Sequence, residues 1–153
     1  MMKRWLKQTK NEKGLTLVEL LAVVVILGII AAIAVPSIGN IIENSKKDSA
    51  ISNAQQVLNA ARLYSAGGGN IDSSITYNST TNGAIAEYHE ELVNPWGEGE
   101  VTYTVGFENN TPNIAMTYSG GKCNIGTEGS TFEGLSSQDL SSDSRDNICK
   151  DDE

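Results

Sequence analysis

Four groups of residues in this chain have side chains able to do chemistry. Glu19 stands at the start of an apolar stretch, Cys123 and Cys149 fall in the last third, His89 lies among Glu87, Glu90 and Glu91, and Asp139, Asp143 and Asp146 crowd the C-terminus. Two cysteines and one histidine do not make a structural zinc site, which takes four ligands at tight spacing. The aspartates do not follow the ligand spacing of an EF-hand calcium loop, and His89 with its acidic neighbours reads as a solvated helix face. No nucleophile with a base, phosphate-binding glycine loop or dinucleotide fingerprint occurs. The sequence therefore predicts no enzyme, no cofactor and no resident metal. An even cysteine count in an exported segment predicts one disulfide, Cys123 to Cys149, closing a loop whose constraint contributes roughly 3 kcal/mol in the chain-entropy account.

Glu19 poses the sharper problem. From Leu20 to Val35 no residue carries a polar side chain. Counted from Leu15, the run reaches the ~20 residues that a helix needs to cross a ~30 Å hydrocarbon core. An acidic charge at the centre of such a span costs about 2.5 to 3.5 kcal/mol on insertion scales, and less near an interface, so Glu19 calls for a partner. Pro36 has no N–H to offer the carbonyl of Ala32 and is expected to kink the helix or mark its exit from the bilayer. Gly28, among β-branched neighbours, weakens the same stretch.

Residues 1–14 hold Lys3, Arg4, Lys7, Lys10 and Lys13 against Glu12 alone, so a basic leader precedes the span and places the N-terminus in the cytoplasm. Of the chain's 11 basic and 19 acidic residues, 6 and 18 then remain beyond Gly14, a balance of −12. Such a surface does not suit nucleic acid, whose affinity comes from neutralising phosphates with Lys and Arg.

The junction Lys13-Gly14-Leu15-Thr16-Leu17-Val18-Glu19-Leu20-Leu21 resembles the processing site of type IV prepilins and type II secretion pseudopilins. The resemblance extends through Gly28 and Pro36 and is strong over roughly residues 11–60. It implies cleavage after Gly14 by a membrane-embedded prepilin peptidase and methylation of the new N-terminus, Leu15. It also implies assembly through Thr16, Glu19, Gly28 and Pro36, with the α-amine of one subunit neutralising Glu19 of its neighbour. Further implied partners are copies of the chain itself, an assembly platform and a cytoplasmic motor ATPase. The precursor would be a single-pass protein of the inner membrane and the product an extracellular pilus. Leu15 stands where the family more often has Phe.

Beyond Pro36 the apolar pattern becomes one-sided. Ile51, Ala54, Leu58 and Ala61 recur at spacings of three and four while Lys46, Lys47, Asp48, Asn53 and Asn59 lie between, as in a helix packed on one face. Gly67-Gly68-Gly69 ends it. Ala84 to Val93 is read as a short helix and Asn94-Pro95-Trp96-Gly97 as a turn anchored by its tryptophan. Val101, Tyr103, Val105 and Phe107, then Ile114, Met116 and Tyr118, alternate with small or polar residues, and Glu108 to Pro112 is a turn signal, which together predict an antiparallel hairpin. From Gly120 onward apolar residues are few, so that stretch is expected to bury little and to depend on the disulfide.

The resulting expectation is an α+β chain: a leader at 1–14, a transmembrane and filament-core helix at 15–36, its amphipathic half at 37–66, and a head at 67–153 with a small antiparallel sheet and a disulfide-closed C-terminal loop, as in the type IV pilin fold. A major pilin is the first reading. The Pro-Trp-Gly turn also suits a major pseudopilin of a secretion or competence system, whereas paired cysteines favour a pilin. A different class remains open: Ala32-Ile33-Ala34 resembles a signal peptidase site, and cutting there would release a soluble binding protein that begins at Val35.

Overall fold

The computed structural model describes residues 16–71, 77–78, 83–126 and 132–150. The chain divides into two compact units, Met1–Asn40 and Ile41–Glu153. In the first, the described residues are Thr16 and the N-terminal part of helix α1, Leu17–Ala66. All its large apolar side chains from Leu17 to Val35 are exposed, and the window is long and apolar enough to cross a membrane. Pro36 does not interrupt the helix. The α-helical geometry survives because a proline costs one backbone bond, that to the Ala32 carbonyl, while the turns on either side retain theirs.

In the second unit α1 buries Ala50, Ala54, Val57, Leu58, Ala60 and Ala61. Four of these six are alanines, which let other backbones approach closely, while Leu58 and Val57 supply most of the apolar area, about 1.5 to 3 kcal/mol each when fully buried. The helix ends in a Schellman motif: Gly69 N–H donates to the Tyr64 carbonyl at 3.0 Å and Gly68 N–H to that of Ser65 at 3.1 Å. Gly68 has φ +85°, which side chains rarely tolerate, so the glycine run acts through that position.

Facing this stripe is a four-stranded antiparallel sheet in the order β1 (Tyr77–Asn78), β2 (Val101–Glu108), β3 (Thr111–Tyr118), β4 (Leu135–Ser136). The β2–β3 hairpin pairs Val101 with Tyr118 through Glu108 with Thr111. Only Asn109 and Asn110 form its loop, with φ of 49° and 63°, the left-handed pair that matches strand twist in a two-residue turn. Pro112 therefore lies in the strand, opposite Phe107, at a pair that exchanges no hydrogen bonds in such a hairpin. The core joins Tyr103, Val105, Phe107, Ile114, Met116 and Tyr118 to the α1 stripe and takes in the fully buried Ile85. Gly106 is buried as well, on the other face: a Cβ there would stand 2.8 Å from the Phe132 ring, so the absent side chain leaves that ring its seat.

Two expectations are corrected. The stretch 84–93 forms only a 3-10 helix, Gly83–Tyr88, because His89 turns out of the helical path and bonds across to the sheet. The C-terminal stretch, expected to bury little, places Cys123, Ile125, Leu140, Ile148 and Cys149 in the core. It does so through short elements, α2 (Ser137–Ser142) and α3 (Arg145–Ile148), each bringing one apolar residue inward. Ile125 exchanges both backbone bonds with Met116, and Asn124 does so with Lys150, beside the Cys123–Cys149 disulfide.

Candidate functional site

Thr16 and Glu19 form a capping box at the start of α1. Thr16 hydroxyl accepts from the Glu19 N–H at 3.2 Å, while Glu19 Oε2 accepts from both the N–H and the hydroxyl of Thr16, each at 2.9 Å. The first turn of any helix leaves N–H groups without partners, and this pair satisfies two of them reciprocally while setting an anion at the positive end of the helix dipole. Glu19 is thereby fixed within its own chain, and among the described residues its Oε1 accepts no hydrogen bond. The capping role was legible in Thr16-Leu17-Val18-Glu19, a Thr three residues before a Glu and ahead of an apolar run, but the sequence reading assigned Thr16 only to filament assembly. Gly14 and Leu15 lie outside the described residues. Gly28 has open space where a Cβ would stand and Pro36 lies within the helix, neither near Thr16 or Glu19 along the chain.

His89 departs from the expected solvated face. Its Nε2 lies 2.9 Å from the Tyr103 hydroxyl and its Nδ1 2.7 Å from the Glu90 carbonyl, so both ring nitrogens are engaged. The physical reason is that β2 presents Tyr103 beside it, a partner 14 positions away that helical periodicity does not reveal. Burial pushes the Tyr103 phenol above its ordinary pKa.

The Asn94–Gly97 turn is tied down at three points. Asn94, a buried polar residue, accepts from the Trp96 N–H at 3.0 Å and donates to the Ser119 carbonyl at 2.9 Å. Trp96 Nε1 donates to Glu43 at 2.9 Å, and its ring lies 5.4 Å from that of Tyr118. The aromatic therefore anchors the turn to the core and to α1 together.

The C-terminal acids act as structural groups. Asp139 closes a second capping box with Ser136, whose hydroxyl and N–H hold its carboxyl below the usual range. Asp143 accepts from Asn147 at 2.9 Å. Arg145 grips Asp48 with two nitrogens, at 2.6 and 2.8 Å, tying α3 to α1. Among the described residues no group of three or more His, Cys, Asp or Glu side chains is arranged to hold a metal.

Residues 9–35 match the family model of the prokaryotic N-terminal methylation motif. That motif is the signature of type IV pilin and pseudopilin precursors, a family of structural subunits, and it covers the helix start just described. It implies processing by prepilin peptidase and a membrane-anchored precursor that assembles into a surface filament. No curated protein and no solved structure matches the chain.

Proposed function

We propose that the chain is the precursor of a type IV pilus subunit, the major pilin, cut after Gly14, methylated on Leu15 and polymerised through residues 15–36. In this reading 1–14 is a cytoplasmic leader, 37–66 the packing half of α1 and 67–153 the exposed head. The observation that carries it is a carboxylate, Glu19, just ahead of the wholly apolar stretch Leu20 to Val35 and inside a methylation motif. Cleavage supplies what that carboxylate needs: an α-amine of unperturbed pKa about 8, protonated at neutral pH. In a staggered fibre, the amine of one subunit neutralises Glu19 of the next. Small residues such as Ala22, Gly28, Ala31 and Ala34 favour close packing of such helices. The motor ATPase and the assembly platform supply extrusion.

The Asn-Pro-Trp-Gly turn, anchored as in the fold above, keeps a pseudopilin of a secretion or competence system as the second reading. The disulfide favours the pilin.

Mass spectrometry of the mature N-terminus is the direct test. N-methylated Leu15 supports either filament reading, whereas a start at Val35 means a secreted protein released by signal peptidase. Gly14→Leu is expected to leave uncut precursor in the membrane. Normal processing of that variant would place the cut elsewhere.

A further inference from the structure

The β2–β3 hairpin has a second face, turned away from the core, and one large aromatic side chain sits there. Val105, Phe107 and Ile114 point into the core, so Gly106 and Asn113, paired across the strands, point outward. Phe132 lies over Gly106 and belongs neither to the core cluster nor to the partly buried side chains packed against it. Two glycines clear its place. A Cβ on Gly106 would stand 2.8 Å from the ring, and one on Gly134 would stand 2.5 Å from the ring and 2.8 Å from the Asn113 side chain. Neither glycine has a positive φ, so close approach rather than backbone conformation calls for it. The ring is only half-buried. With Gly106, Asn113 and Gly134 it lines a cleft of about 400 Å³ that the exposed Glu108 and Glu133 also border. That volume falls in the range of small-molecule sites, roughly 300 to 1,000 Å³. Among the described residues, no Lys, Arg or His lines it.

We propose that this cleft binds a neutral saccharide, with one face of a sugar ring against Phe132 and its hydroxyls on Asn113, Glu108 and Glu133. The proposal is independent of whether the chain polymerises. A phenyl ring stabilises a fold most when fully buried in the core, so two glycines that seat one half-exposed on the outer face call for another account. A sugar supplies it. Its C–H groups carry slight positive charge and suit the negative face of an aromatic ring, while its hydroxyls donate to carboxylates in short, charge-assisted bonds and exchange bonds both ways with an amide. Other ligand classes match less of the cleft. Anionic groups find no Lys or Arg to hold them, an acyl chain would desolvate the two carboxylates without pairing them, and no group of three metal-ligating side chains is present among the described residues. An amine or guanidinium is the nearest rival, because ring and carboxylates attract cations as well. An amine offers donors only, so it can use the Asn113 oxygen but not the NH2, whereas a hydroxyl serves both. Carboxylates, moreover, are common on this acidic chain, and it is the ring, the amide and the two glycines that set this cleft apart.

The test titrates the full chain, amide-labelled in nanodiscs, with a panel of neutral gluco-, galacto- and manno-oligosaccharides, and separately with spermidine. At least one neutral probe is expected to shift the amide signals of Gly106, Asn113 and Gly134 while those of Ala61 and Gly68 stay in place. Phe132→Ala is expected to weaken that probe about tenfold, and Phe132→Trp to restore it. Because the ring lies outside the core, melting temperatures of both variants should show that the head still folds. Raising salt from about 0.1 to 1 M shortens the screening length from roughly 10 to 3 Å and is expected to leave the sugar shifts intact. The proposal is overturned if no neutral probe moves the three amides, or if the shifts survive Phe132→Ala in a folded head, since the sugar then sits elsewhere. Spermidine shifts at the same amides that exceed those of every sugar and vanish at high salt would assign the cleft to cations, and likewise overturn it.

Discussion

Tyr118 spends its hydroxyl on the backbone of α1, donating to the Ala50 carbonyl at 2.9 Å from within the core. Burial pushes its pKa well above the ordinary value of 10.0. A phenol that holds its proton more tightly folded than unfolded contributes stability in full below the unfolded pKa, and that contribution declines as the pH rises beyond it. Denaturation midpoints are therefore expected to fall above about pH 10. Tyr118→Phe should cost about 1 kcal/mol at neutral pH through the lost bond and flatten the alkaline decline, leaving a residue from Tyr103, whose pKa burial also raises. An unchanged alkaline decline in that variant would show that another group controls it. Legibility at this scale depended on whether a residue's partner lay nearby in sequence. Thr16 and Glu19 are three residues apart, so their capping box was written in the sequence. The partners of His89 and Tyr118 lie 14 and 68 positions away, and only the fold brings them together.

Elements built on a strong period were readable, and those built on single contacts were not. The β2–β3 hairpin announced itself by alternation and an Asn-Asn turn, and the amphipathic half of α1 by its stripe. Yet Ala50, Val57 and Ala60, also buried, escaped notice. The C-terminal stretch has no period to read. Leu140 and Ile148 are single anchors on helices of six and four residues, and β4 is two residues long. Such elements hold because they are tied at several points, by the Ser136–Asp139 capping box, the Arg145–Asp48 pair and the disulfide. Replacing both Cys123 and Cys149 by Ser is expected to lower unfolding free energy by about 2 to 5 kcal/mol. Hydrogen exchange should locate the loosening: amides of 123–126 and 145–150 ought to lose protection before those of the hairpin. Uniform loss would mean that the C-terminal stretch and the sheet open as one unit.

For the whole molecule, α1 serves two environments. From Ala50 to Ala61 its buried face is covered by the chain's own core, whereas from Leu17 to Val35 its large apolar side chains are exposed among the described residues. In the proposed reading a bilayer covers that segment in the precursor, and neighbouring subunits cover it in the fibre. On that reading Glu19 tolerates the first situation through its Thr16 capping box and becomes useful in the second by pairing with an amine. Those two roles can be separated by substitution. Glu19→Gln keeps an N3 side chain able to complete a capping box but removes the charge, Glu19→Val removes both, and Thr16→Val weakens the cap by about 1 kcal/mol while leaving the carboxylate. If charge pairing drives assembly, all three precursors insert and are cut. Fibres seen by electron microscopy are then absent for Gln and Val but persist, in reduced number, for Thr16→Val. The opposite order, abundant fibres from Glu19→Gln and none from Thr16→Val, would mean that the helix start needs its cap and that the filament has no use for the charge.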